Sequence, residues 1–123
     1  MSKAFVVKID DIETFQPPHH MEVISRVLVG PEKGSRNILF RLSESQPGGG
    51  DDLHIHPYSE QVCYVLEGEG IGIIDGKEYI LSEGTVVFIP PGTPHRFISK
   101  TYKRTLLAWS PPPDIEEWKS IEK

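Results

Sequence analysis

Glycine and proline interrupt this chain so often that few stretches are long enough for an ordinary helix. There are 11 of each in 123 residues. Between them lie short segments that are apolar or alternate apolar with polar: Ala4 to Ile9, Glu22 to Val29, Asn37 to Leu42, Leu53 to His56, Val62 to Leu66, Ile71 to Ile74, Glu78 to Leu81, Val86 to Ile89, His95 to Ile98 and Thr105 to Trp109. Segments of this kind, rich in Val, Ile, Phe and Tyr, with turn signals returning roughly every eight to twelve residues, predict an antiparallel sandwich or barrel. Asp75-Gly76 sits between two of them and is a favoured two-residue hairpin loop. Pro113 to Ile121 reads differently. Asp114 is a suitable N-cap there, and Ile115, Trp118 and Ile121 follow helical spacing, so a short C-terminal helix of about two turns is expected.

With 37% hydrophobic residues and no repeat or linker, residues 1–123 are expected to form one domain with a modest core. No uninterrupted apolar run exceeds five residues, far from the roughly 20 that a membrane-spanning helix needs. A formal charge of −5, with no more than the short Lys100, Lys103 and Arg104 cluster, argues against a nucleic-acid partner. Cys63 is the single cysteine and cannot close an intrachain disulfide, and Met1 to Asp10 lacks the pattern of a signal peptide. A cytoplasmic protein is the expectation.

The chemistry concentrates at His54-Ile55-His56, followed by Gln61. On a strand, alternate residues face one side, so His54 and His56 project together and Ile55 points away. Alone, such a pair is as readily two solvated surface histidines. Its surroundings add more. Gly48, His54, His56, Gln61 and Gly68, followed by Gly84, Pro90, Gly92, His95 and Ser99, resemble the two motifs of the cupin superfamily, G-x(5)-H-x-H-x(3,4)-E-x(6)-G and G-x(5)-P-x-G-x(2)-H-x(3)-N. The resemblance spans Gly48 to Ser99, with two departures: Gln61 stands in the Glu position and Ser99 in that of the final Asn.

The resemblance implies an all-β fold, a double-stranded β-helix or jelly roll whose interior holds one divalent transition metal ion, Mn, Fe, Ni or Zn. It also implies that His54, His56 and His95 are the nitrogen ligands. Pro90-Pro91-Gly92-Thr93-Pro94 is a stiff turn that would deliver His95 to a fixed place. Either Glu60 or Gln61 faces inward as a fourth ligand. Gln61 is favoured, because it keeps the six residues before Gly68 and shares parity with Val65. Some small cupins, sugar-acid isomerases and hydroxynitrile lyases among them, carry Gln at this position. Three imidazoles and an amide leave the full 2+ charge on the ion, which favours Lewis-acid chemistry over a redox cycle.

Arg41 and Asp52 are the candidate catalytic residues. Arg41 could anchor a substrate carboxylate if its side of the Asn37 to Leu42 strand faces inward, with an exposed arginine as the alternative. Asp52 shares parity with His54 and could act as a base at the pocket mouth, or be a solvated loop carboxylate. Phe97 is expected to wall the cavity, and Cys63 to be a small buried residue near Gln61. His19 and His20 are expected in an exposed loop, and Lys100, Lys103 and Arg104 in a solvated one. Small cupins commonly dimerise, and the apolar Ala4 to Ile9 strand could pair with a second subunit. These readings point to a metal-dependent isomerase or lyase acting on a small carboxylate or sugar-derived molecule. A cupin dioxygenase and a non-catalytic sensing cupin are the alternatives.

Overall fold

The structure is a computed structural model that describes residues 3–113 and 119–120. Ten strands follow in chain order: β1 (His20–Val29), β2 (Leu39–Asp51), β3 (His54–Ile55), β4 (Glu60–Glu67), β5 (Gly70–Ile74), β6 (Lys77–Leu81), β7 (Val86–Ile89), β8 (His95–Ser99), β9 (Lys103–Ser110) and β10 (Lys119–Ser120). All pairings are antiparallel. One wall runs β1-β2-β9-β4-β7, and the other is built on β8, with β5 and then β6 on one side. On the other side of β8 lie the end of β2, where Gly50 faces Ile98, and then β3, where His54 faces His95.

β2 therefore belongs to both walls and curls the sheet into a barrel. Glycines make this possible. Gly48 has φ +82, and a Cβ on Gly50 would lie 2.1 Å from the carbonyl oxygen of Phe97. Strand alternation then sorts the side chains. On β4, Gln61, Cys63 and Val65 are buried while Glu60, Val62 and Tyr64 are exposed. The core gathers Cys63, Val65, Leu81, Val87 and Ile89, with Ile74, Phe97 and Leu107 packed against it. Asp75 and Gly76, both at positive φ, form the expected hairpin turn between β5 and β6.

One expectation fails and another lies largely outside the described residues. Ala4 to Ile9 is not a strand: the segment passes as irregular chain into a 3₁₀ turn at Ile9–Asp11. Its apolar side chains serve instead as a cover, Phe5, Val7, Ile9 and Ile12 lining a groove with Leu28, Val29 and Phe40, and Arg26 Nε donates to the Ile12 carbonyl at 3.1 Å. Leu42 lies on this outward-facing side of β2 and is still only 1% exposed. The C-terminal helix expected over Pro113 to Ile121 falls largely outside the described residues. Within it, Lys119 and Ser120 are a short strand paired with Ile55 and His54. Among the described residues there is no α-helix, and none long and apolar enough to cross a membrane.

Further along the same outer face of this wall, Val62, Tyr64, Val86 and Phe88 leave an uncovered apolar strip on β4 and β7. Leu42→Ala is expected to lower unfolding free energy by about 2–5 kcal/mol in urea titrations, because the neighbouring groups cannot fully collapse onto the void. Ile80→Ser, at a side chain 68% exposed and outside this strip, is expected to stay within about 0.5 kcal/mol of the parent.

Candidate metal centre

Two neighbouring strands and one turn bring the histidines together. His54 on β3 sits opposite His95 at the start of β8. His56 follows β3, and its carbonyl accepts the Gly92 N–H at 2.8 Å, which ties it to the turn that delivers His95. The three residues are 2%, 4% and 1% exposed, and their ligand atoms lie within 4.8 Å of one another. Ring centroids are 4.2 to 5.4 Å apart. Solvated surface histidines are therefore excluded.

Local geometry also sets where the protons sit. Nδ1 of His54 donates to the Asp52 carbonyl at 2.7 Å, and Nδ1 of His95 donates to the Thr93 carbonyl at 2.9 Å. A carbonyl can only accept, so in these neutral rings the lone pair is left on Nε2. Burial, reinforced by the charge the His95 ring would carry, pushes His54 down to about 2 and His56 down to about 4. Burial lowers His95 as well. His54 and His56 thus stay uncharged through the weakly acidic range and His95 is pushed the same way, toward the state a metal ligand needs.

Gln61 faces inward and is 3% exposed, whereas Glu60 is exposed, which decides between the two. Its Nε2 donates to Cys63 Sγ at 3.4 Å, and its buried Oε1 accepts no hydrogen bond among the described residues. The buried Nε2 of His95 likewise has no hydrogen-bond partner. Two orphaned donor atoms of the types that bind divalent transition metals, in a pocket with three imidazoles, fit such an ion. Cys63 is 1% exposed, and burial pushes its thiol up to about 12, so it stays protonated. It acts as packing and as the acceptor that orients the Gln61 amide.

The other candidates divide. Arg41 does face inward: its guanidinium lies 4.6 Å over the Trp109 ring and 5.5 Å from that of Phe15, and burial lowers it to about 10, leaving it charged at neutral pH. Trp109 in turn meets His56 edge-on at 6.2 Å. Phe97 walls the site, 5.9 Å from His95. Asp52 contributes its backbone carbonyl to His54, and the buried carboxyl is that of Asp51. From Gly50 to His54 the chain advances four residues, whereas β8 advances three between their partners Ile98 and His95. This one-residue bulge reverses the parity that favoured Asp52.

Asp51 is anchored by the Phe97 N–H at 2.7 Å and lies 3.8 Å from His20 Nε2 and 4.0 Å from His54 Nδ1. Burial raises its carboxyl to about 7. His20, expected in an exposed loop, is half-buried against it, and burial lowers its pKa. Lys103, expected in a solvated loop, is 6% exposed on β9. No signal in the sequence marks these three: their orientation follows from the bulges in β2 and from where β9 begins.

Comparison with known proteins places this geometry in a family. Residues 41–110 match the cupin domain, and the chain belongs to the cupin family. Polyketide synthase CurC of Streptomyces cyaneus is 30% identical over 91 residues, covering 73% of this chain and 59% of that protein. Quercetin 2,3-dioxygenase of Bacillus subtilis is 31% identical over 74 residues, 58% of this chain and 22% of that protein. The chain spans less than two thirds of the length of either relative. The polyketide cyclase RemF from Streptomyces resistomycificus shares the fold with a TM-score of 0.84 at 23% identity, over 98% of this chain and 87% of the other.

The lowered imidazoles make metal-free stability depend on pH. Below about pH 6.5 the unfolded chain protonates His20, His54, His56 and His95, while the folded chain resists, so acidification favours unfolding. Asp51 works in the opposite sense between about pH 4 and 7, but it is one group against four. The melting temperature of metal-free protein is therefore expected to fall from pH 7 to pH 5, as measured by scanning calorimetry. A flat or rising profile would contradict the buried neutral triad.

Proposed function

We propose that this cupin is a metal-dependent enzyme acting on a small carboxylate or sugar-derived molecule by Lewis-acid chemistry of the isomerase or lyase type. The observation that carries this reading is the uncharged, buried donor set. His54, His56 and His95 with Gln61 would hold one divalent ion, Mn, Fe, Ni or Zn. Bound by neutral ligands, such an ion would keep its full charge and supply Lewis-acid chemistry. The chain's own residues supply the rest. Trp109 and Phe97 exclude water beside the imidazoles, Arg41 presents a fork of donors for a substrate carboxylate, and the Asp51 carboxyl can hold a proton beside His20 and His54.

The polyketide synthase relative and the polyketide cyclase of like fold support non-redox chemistry. The relative named quercetin 2,3-dioxygenase supports a second reading, an oxidoreductase on the same site. Offered Mn, Fe, Ni and Zn in turn, purified protein is expected to retain about one ion per chain by elemental analysis, and His56→Ala to retain none. Turnover of keto-sugar acids without oxygen uptake supports the first reading, and oxygen uptake with a flavonol selects the second. Wild-type protein that retains no ion rejects both.

We also propose that the protein is a homodimer and that the apolar strip on β4 and β7 is its contact. β7 is a sheet edge, and an edge flanked by Val86 and Phe88 can meet its own copy about a two-fold axis. Light scattering after size exclusion is expected to give twice the chain mass, and Val86→Asp with Phe88→Asp to give the single mass. A wild-type monomer would refute it.

A further inference from the structure

Arg41 is held in place without a counter-ion. Among the described residues its guanidinium makes neither a salt bridge nor a hydrogen bond, and its Nε is buried with no partner. A cation drawn out of water needs some attraction in exchange for its hydration. Two aromatic rings supply it: Trp109, 4.6 Å from the guanidinium carbon, and Phe15, 5.5 Å from it. Both distances lie within the roughly 6 Å over which a ring face attracts a cation.

Trp109 belongs to the barrel wall on β9, but Phe15 lies outside every strand and comes from the segment that precedes β1. Its placement is specific. The Phe15 N–H donates to the Ser25 carbonyl at 2.8 Å, and the Ser25 N–H donates to the Phe15 carbonyl at 2.8 Å, an isolated bridge on the free edge of β1. Arg26 Nε holds the Ile12 carbonyl on the same edge at 3.1 Å. Directly opposed residues of an antiparallel pair carry their side chains on one face, so Phe15 shares the inward side of Ser25, which is 1% exposed. Ser25 in turn faces Ser43 on β2, and Arg41, two residues earlier on that strand, shares the face. The Phe15 ring therefore reaches past β1 to Arg41. At 37% exposed it is too open to count as core packing.

Holding a guanidinium by rings has a chemical consequence. A carboxylate partner would occupy the N–H fork, whereas ring contacts leave those donors unclaimed. We propose that Phe15 is a positioning residue for Arg41: with Trp109 it fixes the guanidinium by cation–π attraction and so keeps the N–H fork free for a bound anion. The use of that fork rests on the functional reading above; the hold of Phe15 on Arg41 does not.

A ring that only filled space could be replaced by leucine, while one that attracts a cation could be replaced by tyrosine. NMR on the full chain, free of metal, separates the two through solvent exchange at the arginine Nε–H groups. In Phe15→Leu the Arg41 Nε–H is expected to exchange about 2- to 30-fold faster than in the wild type, the range of one cation–π contact. Phe15→Tyr is expected to restore the wild-type rate. The Arg26 Nε–H, bonded to Ile12, reports whether the segment itself stays in place, and is expected to be unchanged in both variants. Equal Arg41 exchange in Phe15→Leu and wild type, a tyrosine variant as fast as the leucine one, or faster exchange at Arg26 together with Arg41 would each overturn the assignment. Metal retention reports separately: a wild type that retains no ion sinks the enzymatic reading alone, and retained ion with Arg41 exchange indifferent to Phe15→Leu sinks the positioning role alone.

Discussion

The centre of this protein depends on keeping three imidazoles uncharged with their ring centres 4.2 to 5.4 Å apart. A proton on any one would place a charge against two buried neighbours, and burial makes that costly. The fold enforces neutrality by simple means. For His54 and His95, the carbonyl two residues earlier in the chain takes the Nδ1 hydrogen, so local backbone geometry sets the tautomer. The rings then meet because β3 lies against β8, continuing the line of β2 along the same edge. That line is possible only where β2 crosses between walls, at a glycine with no room for a side chain. A position far from obvious chemistry, Gly50, is therefore as necessary to the site as its candidate ligands.

Strand parity explains both what the sequence revealed and what it concealed. His54 and His56, Gln61 rather than Glu60, and Arg41 on its inward side all follow from alternation within an unbroken segment. Asp75-Gly76 was legible because its turn needs two residues at positive φ. Alternation fails once a bulge intervenes, and Asp51 in place of Asp52 is the result. Lys103 was hidden for another reason. In the sequence it stands in a short basic cluster with Lys100 and Arg104, and nothing there shows that β9 begins at Lys103 and turns it inward. Ala4 to Ile9 was apolar enough to read as a strand. An apolar segment that covers a sheet face needs the same composition, but no backbone pairing.

Charge inside the barrel runs against charge outside it. The chain carries a formal −5, yet its inward-facing positions on β2 and β9 include two cations, Arg41 and Lys103. Arg41 faces Leu107 across the ladder and Lys103 faces Ser45, which puts them four residues apart along the strands, about 13 Å at roughly 3.3 Å per residue. Asp51 is the buried carboxylate among them, and burial raises its pKa to about 7, which weakens its hold on a negative charge. A metal ion held by neutral ligands would add two further positive charges without a compensating anion. An interior of this sign, inside an acidic exterior, favours anionic over cationic occupants. Under the proposed function, an anionic substrate would meet that positive charge at the metal centre and at Arg41 by the same electrostatic argument.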